Sequence, residues 1–202
     1  GHEKLTLRDG SRIELNTNTT LRIAAEGNRK TVYLDKGEAF FRITHNPNRE
    51  FVVIAGNRRI IDLGTQFLVR REDDRLRVAL YEGKAQFEVS DARGEQQTTL
   101  NPGDVVVATN NSLSVTRRRV DELNDDLGWR RGLLVFHHVT LQAAAAEYNR
   151  YNLKKFVIGD PQIAQLNING SLPANDPGAF TRSVKRLFDL KVEERPNEIV
   201  IS

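Results

Sequence analysis

Gly64 and Thr65 could do chemistry together, in the run Leu63-Gly-Thr-Gln66 between two strand-like segments. A threonine hydroxyl can attack the carbonyl of the residue before it when the turn is strained, giving an ester through an N→O acyl shift. Glycine at that preceding position permits the strained backbone and leaves its carbonyl uncrowded. Thr65 would be the nucleophile and Gly64 the acyl donor; the sequence does not identify the base, and Asp62 is a candidate only by its nearness in sequence. The plainer reading is a glycine bulge between strands, with threonine favoured for its β propensity. On these residues alone the plainer reading weighs more, because Gly-Thr is a common pair.

The rest of the inventory excludes more than it offers. His137 and His138 are adjacent, so a regular strand points them to opposite faces. His45 sits in a Thr-His-Asn-Pro-Asn turn and His2 is terminal; all four histidines read as structural or solvated. The absence of Cys rules out disulfides, thiolate metal sites and a cysteine nucleophile, and it suits an oxidising compartment. Glu72-Asp73-Asp74 lacks the spacing of a calcium loop and reads as a hairpin tip. No phosphate loop, nucleophile elbow or dinucleotide fingerprint is present. The sequence therefore predicts no metal, no cofactor, no small-molecule substrate and no enzyme acting on a second molecule.

Charge and hydropathy narrow the class further. The 202 residues carry 30 Lys+Arg against 27 Asp+Glu, a formal +3, and both signs are spread along the chain. Only Arg117-Arg118-Arg119 is locally basic, so nucleic acid is not expected as a partner. The longest apolar run, Phe51-Val-Val-Ile-Ala55, is far short of the ~20 residues that cross a bilayer. The chain has no Met, and it reads as a fragment or processed product with Gly1-His2 as a tag remnant.

The elements that must position these residues fall into two textures. Residues 1–116 read as an all-β domain. Asp9-Gly10-Ser11, Glu26-Gly27-Asn28, Ala55-Gly56-Asn57, Arg93-Gly94-Glu95 and Pro102-Gly103-Asp104 punctuate short alternating segments. Val32-Tyr-Leu-Asp-Lys-Gly-Glu-Ala-Phe-Phe-Arg-Ile43 lines up with Val78-Ala-Leu-Tyr-Glu-Gly-Lys-Ala-Gln-Phe-Glu-Val89. Each copy reads as strand, glycine turn, strand, which predicts solenoid-like stacked strands. Residues 117–131 read as a linker with a short helix. Residues 132–202 read as a small α+β module of two βαβ halves, with one helix capped by Thr140 and another opened by Asp176-Pro177.

The ordered motifs resemble a known family. Leu7-Arg-Asp-Gly-Ser-Arg-Ile-Glu-Leu-Asn16, the first repeat copy, Phe51-Val-Val-Ile-Ala-Gly56, Asp62-Leu-Gly-Thr-Gln-Phe67 and Val78-Ala-Leu-Tyr-Glu-Gly83 are similar to the periplasmic region of FecR-type anti-sigma regulators. Trp129, Gly132-Leu-Leu-Val-Phe136 and Glu147-Tyr-Asn-Arg-Tyr151 continue the likeness, and the tail resembles the secretin/TonB short N-terminal (STN) domain. The resemblance runs over about residues 5–202.

That resemblance implies the periplasmic sensing portion of a single-pass inner-membrane protein, without its membrane helix and cytoplasmic segment. The implied partner is the periplasmic signalling domain of an outer-membrane TonB-dependent siderophore transporter. Contact would lead through periplasmic proteases to release of an extracytoplasmic-function sigma factor, which only the absent cytoplasmic segment holds. Some members of the family are cleaved at the Gly-Thr step that here is Gly64-Thr65. A strand edge of the small module is the expected docking place, because unpaired backbone groups accept a partner strand. Leu133, Val135 and Phe136 on one strand and Glu198, Ile199, Val200 and Ile201 on another are the candidates. The alternatives are a β-rich extracellular ligand-binding module or a secretin-type assembly subunit.

Overall fold

The computed structural model describes residues 1–91 and 94–202, in two compact units, Gly1–Asn124 and Asp125–Ser202. The turn expected at Arg93-Gly94-Glu95 includes Arg93, which lies outside the described residues. The first unit comprises β1 (Glu3–Thr6), β2 (Arg12–Leu15), β3 (Thr20–Glu26), β4 (Arg29–Arg42), β5 (Glu50–Ala55) and β6 (Arg58–Asp62). They continue as β7 (Gln66–Glu72), β8 (Arg75–Glu82), β9 (Ala85–Asp91), β10 (Gly94–Leu100), β11 (Asp104–Ala108) and β12 (Leu113–Arg117). All join one sheet, in the order β10-β9-β6-β5-β4-β7-β8-β11-β12, with β3 and β2 also on β4 and β1 on β2.

The sheet is curled, and β4 is its spine. The first half of this 14-residue strand pairs with β3 and β5, and the second half with β2 and β7. The unit thus has two limbs that share β4. The chain passes between limbs at Asn18, Gly37, Gly64, Gly83 and Gly103, each with positive φ. At Gly37 (φ 91°) a Cβ would stand 2.5 Å from Thr19 Cα, so only glycine fits where two crossings touch.

This geometry corrects the reading of the repeat. Its first copy is one continuous strand that bends at Gly37, not a hairpin, and its second is β8 and β9 joined across Gly83. Both copies are crossings between the limbs of one largely antiparallel sheet. Solenoid coils would instead stack parallel strands from successive repeats, and among the described pairings of this unit only β4–β5 is parallel. The acidic run at 72–74 does form a hairpin tip, where Glu72 pairs with Arg75.

Side chains between the limbs make a continuous core that includes Ile13, Val32, Leu34, Phe41, Phe67, Leu80 and Phe87. The Phe41 and Phe67 rings stack with centroids 4.9 Å apart, which ties β4 to β7 immediately after the crossing at Gly64. Helix α1 (Val120–Leu123) closes the unit, and the Tyr81 hydroxyl donates to the Leu123 carbonyl at 2.9 Å.

The second unit opens on a 3-10 run that ends at Arg131, with Trp129 buried. It continues as β13 (Leu133–Thr140), α2 (Leu141–Tyr151), β14 (Lys155–Ile158) and α3 (Pro161–Ala164), then β15 (Asn167–Pro173), α4 (Pro177–Phe188), β16 (Val192–Glu194) and β17 (Glu198–Ile201). The caps are those the sequence suggests. Thr140 Oγ1 accepts from Ala143 N–H, and Asp176 Oδ1 from Ala179 N–H at 2.9 Å. The aromatic faces of α2 and α4 meet where Tyr148 stacks on Phe180 at 4.5 Å, while Leu187 of α4 is exposed.

The halves of this unit exchange strands. β13 pairs with β15, and β14, β17 and β16 form a separate sheet with β17 in the middle. The expectation that Glu198, Ile199, Val200 and Ile201 offer an open edge is therefore wrong. β14 runs parallel along one side of β17 and β16 antiparallel along the other, and Ile199 and Ile201 point into the core.

Candidate functional site

The connection between β6 and β7 is three residues long, Leu63-Gly64-Thr65, and it carries the chain from one limb to the other. So short a crossing must turn sharply, and Gly64 does so at φ 94°. A Cβ at Gly64 would stand 2.7 Å from the Cβ of His45, so this position excludes an L side chain both by conformation and by space. Backbone hydrogen bonds hold each end. Leu63 N–H donates to the Lys84 carbonyl at 3.1 Å, and Ile43 N–H donates to the Thr65 carbonyl at 2.9 Å.

Asp62, the last residue of β6, turns its carboxylate into this crossing. Oδ1 accepts from the Thr65 hydroxyl, and Oδ2 accepts from Gly64 N–H at 3.0 Å. Both side chains are buried, Thr65 at 2% exposure and Asp62 at 8%. Burial pushes the Asp62 carboxyl up to about 7, against the opposing effect of the Gly64 and Thr65 N–H groups that stabilise its charge. A carboxyl poised near neutrality beside a hydroxyl is what general acid–base chemistry requires.

Two residues the sequence did not single out complete the enclosure. A Cβ at Gly83 would stand 2.1 Å from the Gly64 carbonyl oxygen and 2.9 Å from Thr65 Cγ2, so the crossing at Gly83 is the floor under the acyl group. His45, read from sequence as a turn residue, walls the opposite side. The signal for Gly83 was its place in the repeat, but nothing in the repeat tells that its two glycine crossings touch different partners. Beside the crossing lies a cleft of about 600 Å³, lined by Asp62, Leu63 and His45 among others, so solvent reaches the edge of an otherwise buried constellation.

The arrangement has the parts of an intramolecular acyl shift: a hydroxyl, the carbonyl it would attack, and a carboxylate on the hydroxyl. Among the described residues no cluster of three His, Cys, Asp or Glu side chains could hold a metal ion.

The docking candidates divide. β13 pairs only with β15 among the described strands, and the 3-10 run lies close to it, where a Cβ at Gly128 would stand 3.0 Å from the Leu133 carbonyl oxygen. On β13 Phe136 points into the core and Leu133 and Val135 are half-buried. A bulge between Phe136 and Val139, with His138 at φ 50°, turns both His137 and His138 outward, which corrects their expected placement on opposite faces. His137 Nε2 lies 2.7 Å from Asp125 Oδ2.

Comparison with known proteins finds a likeness to one family over part of the chain and a shared fold over all of it. Residues 1–86, which hold Asp62, Gly64, Thr65 and Gly83, match the family model described as FecR protein. No curated protein sequence matches the chain. Two crystal structures of a "putative anti-sigma factor" from Parabacteroides distasonis share its fold. One has a TM-score of 0.81 at 20% identity, over 100% of this chain and 94% of the other. The second has a TM-score of 0.80 at 21% identity, over 100% and 93%. Among the described residues no helix is long and apolar enough to cross a membrane.

Proposed function

We propose that this chain is the periplasmic sensing portion of an inner-membrane anti-sigma regulator, and that it cleaves its own backbone between Gly64 and Thr65. One observation carries the reading. The Thr65 hydroxyl is bonded to a buried carboxylate, directly after a glycine that no other residue could replace, inside the segment that matches the FecR model. Asp62 also caps the turn through the Gly64 N–H, but its burial raises its carboxyl to about 7, which turn formation alone does not call for.

In the finer reading the second unit is the STN-like module. Its partner is the periplasmic signalling domain of an outer-membrane TonB-dependent siderophore transporter. Engagement commits the chain to periplasmic proteases and frees a sigma factor held by a cytoplasmic segment. β13 has a strand partner on one side only, which supports strand addition there over β17, which is paired on both sides. The fold shared with the anti-sigma structures supports the same direction.

The test is a pull-down from outer-membrane extract with the whole chain as bait. The chain has no Cys, so a single His137→Cys probe beside the β13 edge gives an unambiguous cross-link. Recovery of a TonB-dependent transporter, cross-linked through His137→Cys, is the expected result. A folded bait that recovers no transporter contradicts the partner assignment.

A further inference from the structure

One carboxylate faces both atoms that must exchange a proton when the Gly64–Thr65 bond rearranges. Asp62 Oδ1 accepts from Thr65 Oγ1, the attacking oxygen, and the Thr65 N–H, on the nitrogen that must leave, also stabilises this carboxylate. The Gly64 N–H on Oδ2 fixes the orientation of the group between them. We propose that Asp62 is the proton shuttle of the rearrangement, a role that rests on the self-cleavage reading above.

The step balances without any added oxidant, metal or cofactor. Thr65 Oγ1 bonds to the Gly64 carbonyl carbon, the carbonyl electron pair moves onto its oxygen, and the hydroxyl proton passes to Asp62. The five-membered intermediate then collapses and the carbon–nitrogen bond breaks. Its electron pair stays on the Thr65 nitrogen, which takes the proton back from Asp62. An ester joins Gly64 to Thr65 Oγ1, and Thr65 has a free amine. Water from the adjoining cleft then splits the ester, giving a Gly64 carboxylate and restoring the Thr65 hydroxyl.

Other titratable groups around the cleft are placed for other work. Asp9 is bonded to Lys30 at 2.7 Å with Arg49 at 3.8 Å, and Glu50 pairs with Arg29. His45 packs against Gly64 Cα, where a Cβ on Gly64 would stand 2.7 Å from the His45 Cβ, and among the described residues no hydrogen bond joins its ring to Thr65. A carboxyl held near neutrality by burial takes up and releases a proton with comparable ease, which suits one group doing both transfers.

The test is a time course of cell-free synthesis of the whole chain, quenched in denaturant, comparing the parent with Asp62→Asn and His45→Gln. Circular dichroism of each product reports folding. The parent is expected to yield fragments 1–64 and 65–202. Asp62→Asn is expected to cleave at least about 100-fold more slowly, the scale of general acid–base catalysis. His45→Gln changes a wall of the site and so the absolute rate, but that rate is expected to keep rising with pH and to level off near 7. That profile decides the case if Asp62→Asn does not fold, and a flat one overturns the proposal. So does a folded Asp62→Asn that cleaves at the parent rate. A parent that stays whole and resists hydroxylamine instead overturns the self-cleavage reading, and the shuttle with it.

Discussion

Gly83 lies against the carbonyl oxygen of Gly64, so closely that a Cβ on Gly83 would stand 2.1 Å from it. Two crossings of the sheet, nearly twenty residues apart, therefore build one site. Gly83→Ala must push the Gly64 carbonyl aside and also adopt φ 83°. The expected result is slower cleavage together with a stability loss of roughly 2–4 kcal/mol, strain plus overpacking. Gly27→Ala is the control, since that glycine has φ 57° but open space around it. It is expected to cost only about 1 kcal/mol and leave cleavage alone. Denaturant melts and fragment yields of the two variants check this.

The buried Asp62 fixes the sign of one pH effect. Its carboxyl is raised to about 7 in the folded chain, above the ordinary value near 3.8, so the folded state keeps a proton that the unfolded state has lost. Stability falls as pH rises from about 4 to about 7, by up to ~1.4 kcal/mol per pH unit, and this contribution is flat beyond. In Asp62→Asn that slope is expected to vanish. Thermal melts of parent and variant from pH 4 to 8 measure it.

Cleavage would not release the fragments. Residues 37–42 of β4 pair in register with residues 66–71 of β7, and β6 pairs with β9, so the sheet stitches 1–64 to 65–202 on both sides of the cut. Phe41 and Phe67 stack across the same seam. The two pieces are expected to co-elute on native size exclusion and to separate only in denaturant. Separation under native conditions would contradict the pairing.

In the second unit, Phe180 is wholly buried and stacks on Tyr148 at 4.5 Å while meeting Phe156 edge-on at 4.8 Å. Phe180→Ala is expected to cost the second unit about 3–5 kcal/mol of stability. Leu187→Ala, on the exposed side of the same helix, is expected to change stability by no more than about 0.5 kcal/mol. Chemical denaturation of the two variants distinguishes them.

What the sequence made legible was local. The caps at Thr140 and Asp176 follow from side-chain oxygens that can reach nearby N–H groups, and the hairpin at 72–74 from alternation on both sides. Gly64 and Thr65 stood out because their chemistry needs only adjacency. Gly83 and His45 did not, because they reach the site through the curl of the sheet. The same limit explains β17. Its short run Glu-Ile-Val-Ile suits an edge or a centre equally, and only the exchange of strands between halves puts β14 and β16 on either side of it. The repeat misled for a related reason, since a glycine between two strand-like runs reads as a turn whether the chain reverses or crosses.

The most direct measurement is the intact mass of the purified chain, denatured with and without hydroxylamine. Self-cleavage between Gly64 and Thr65 predicts two species, residues 1–64 and 65–202, with any surviving ester trapped by hydroxylamine as a Gly64 hydroxamate. A single species at 22.9 kDa under both conditions would contradict the account.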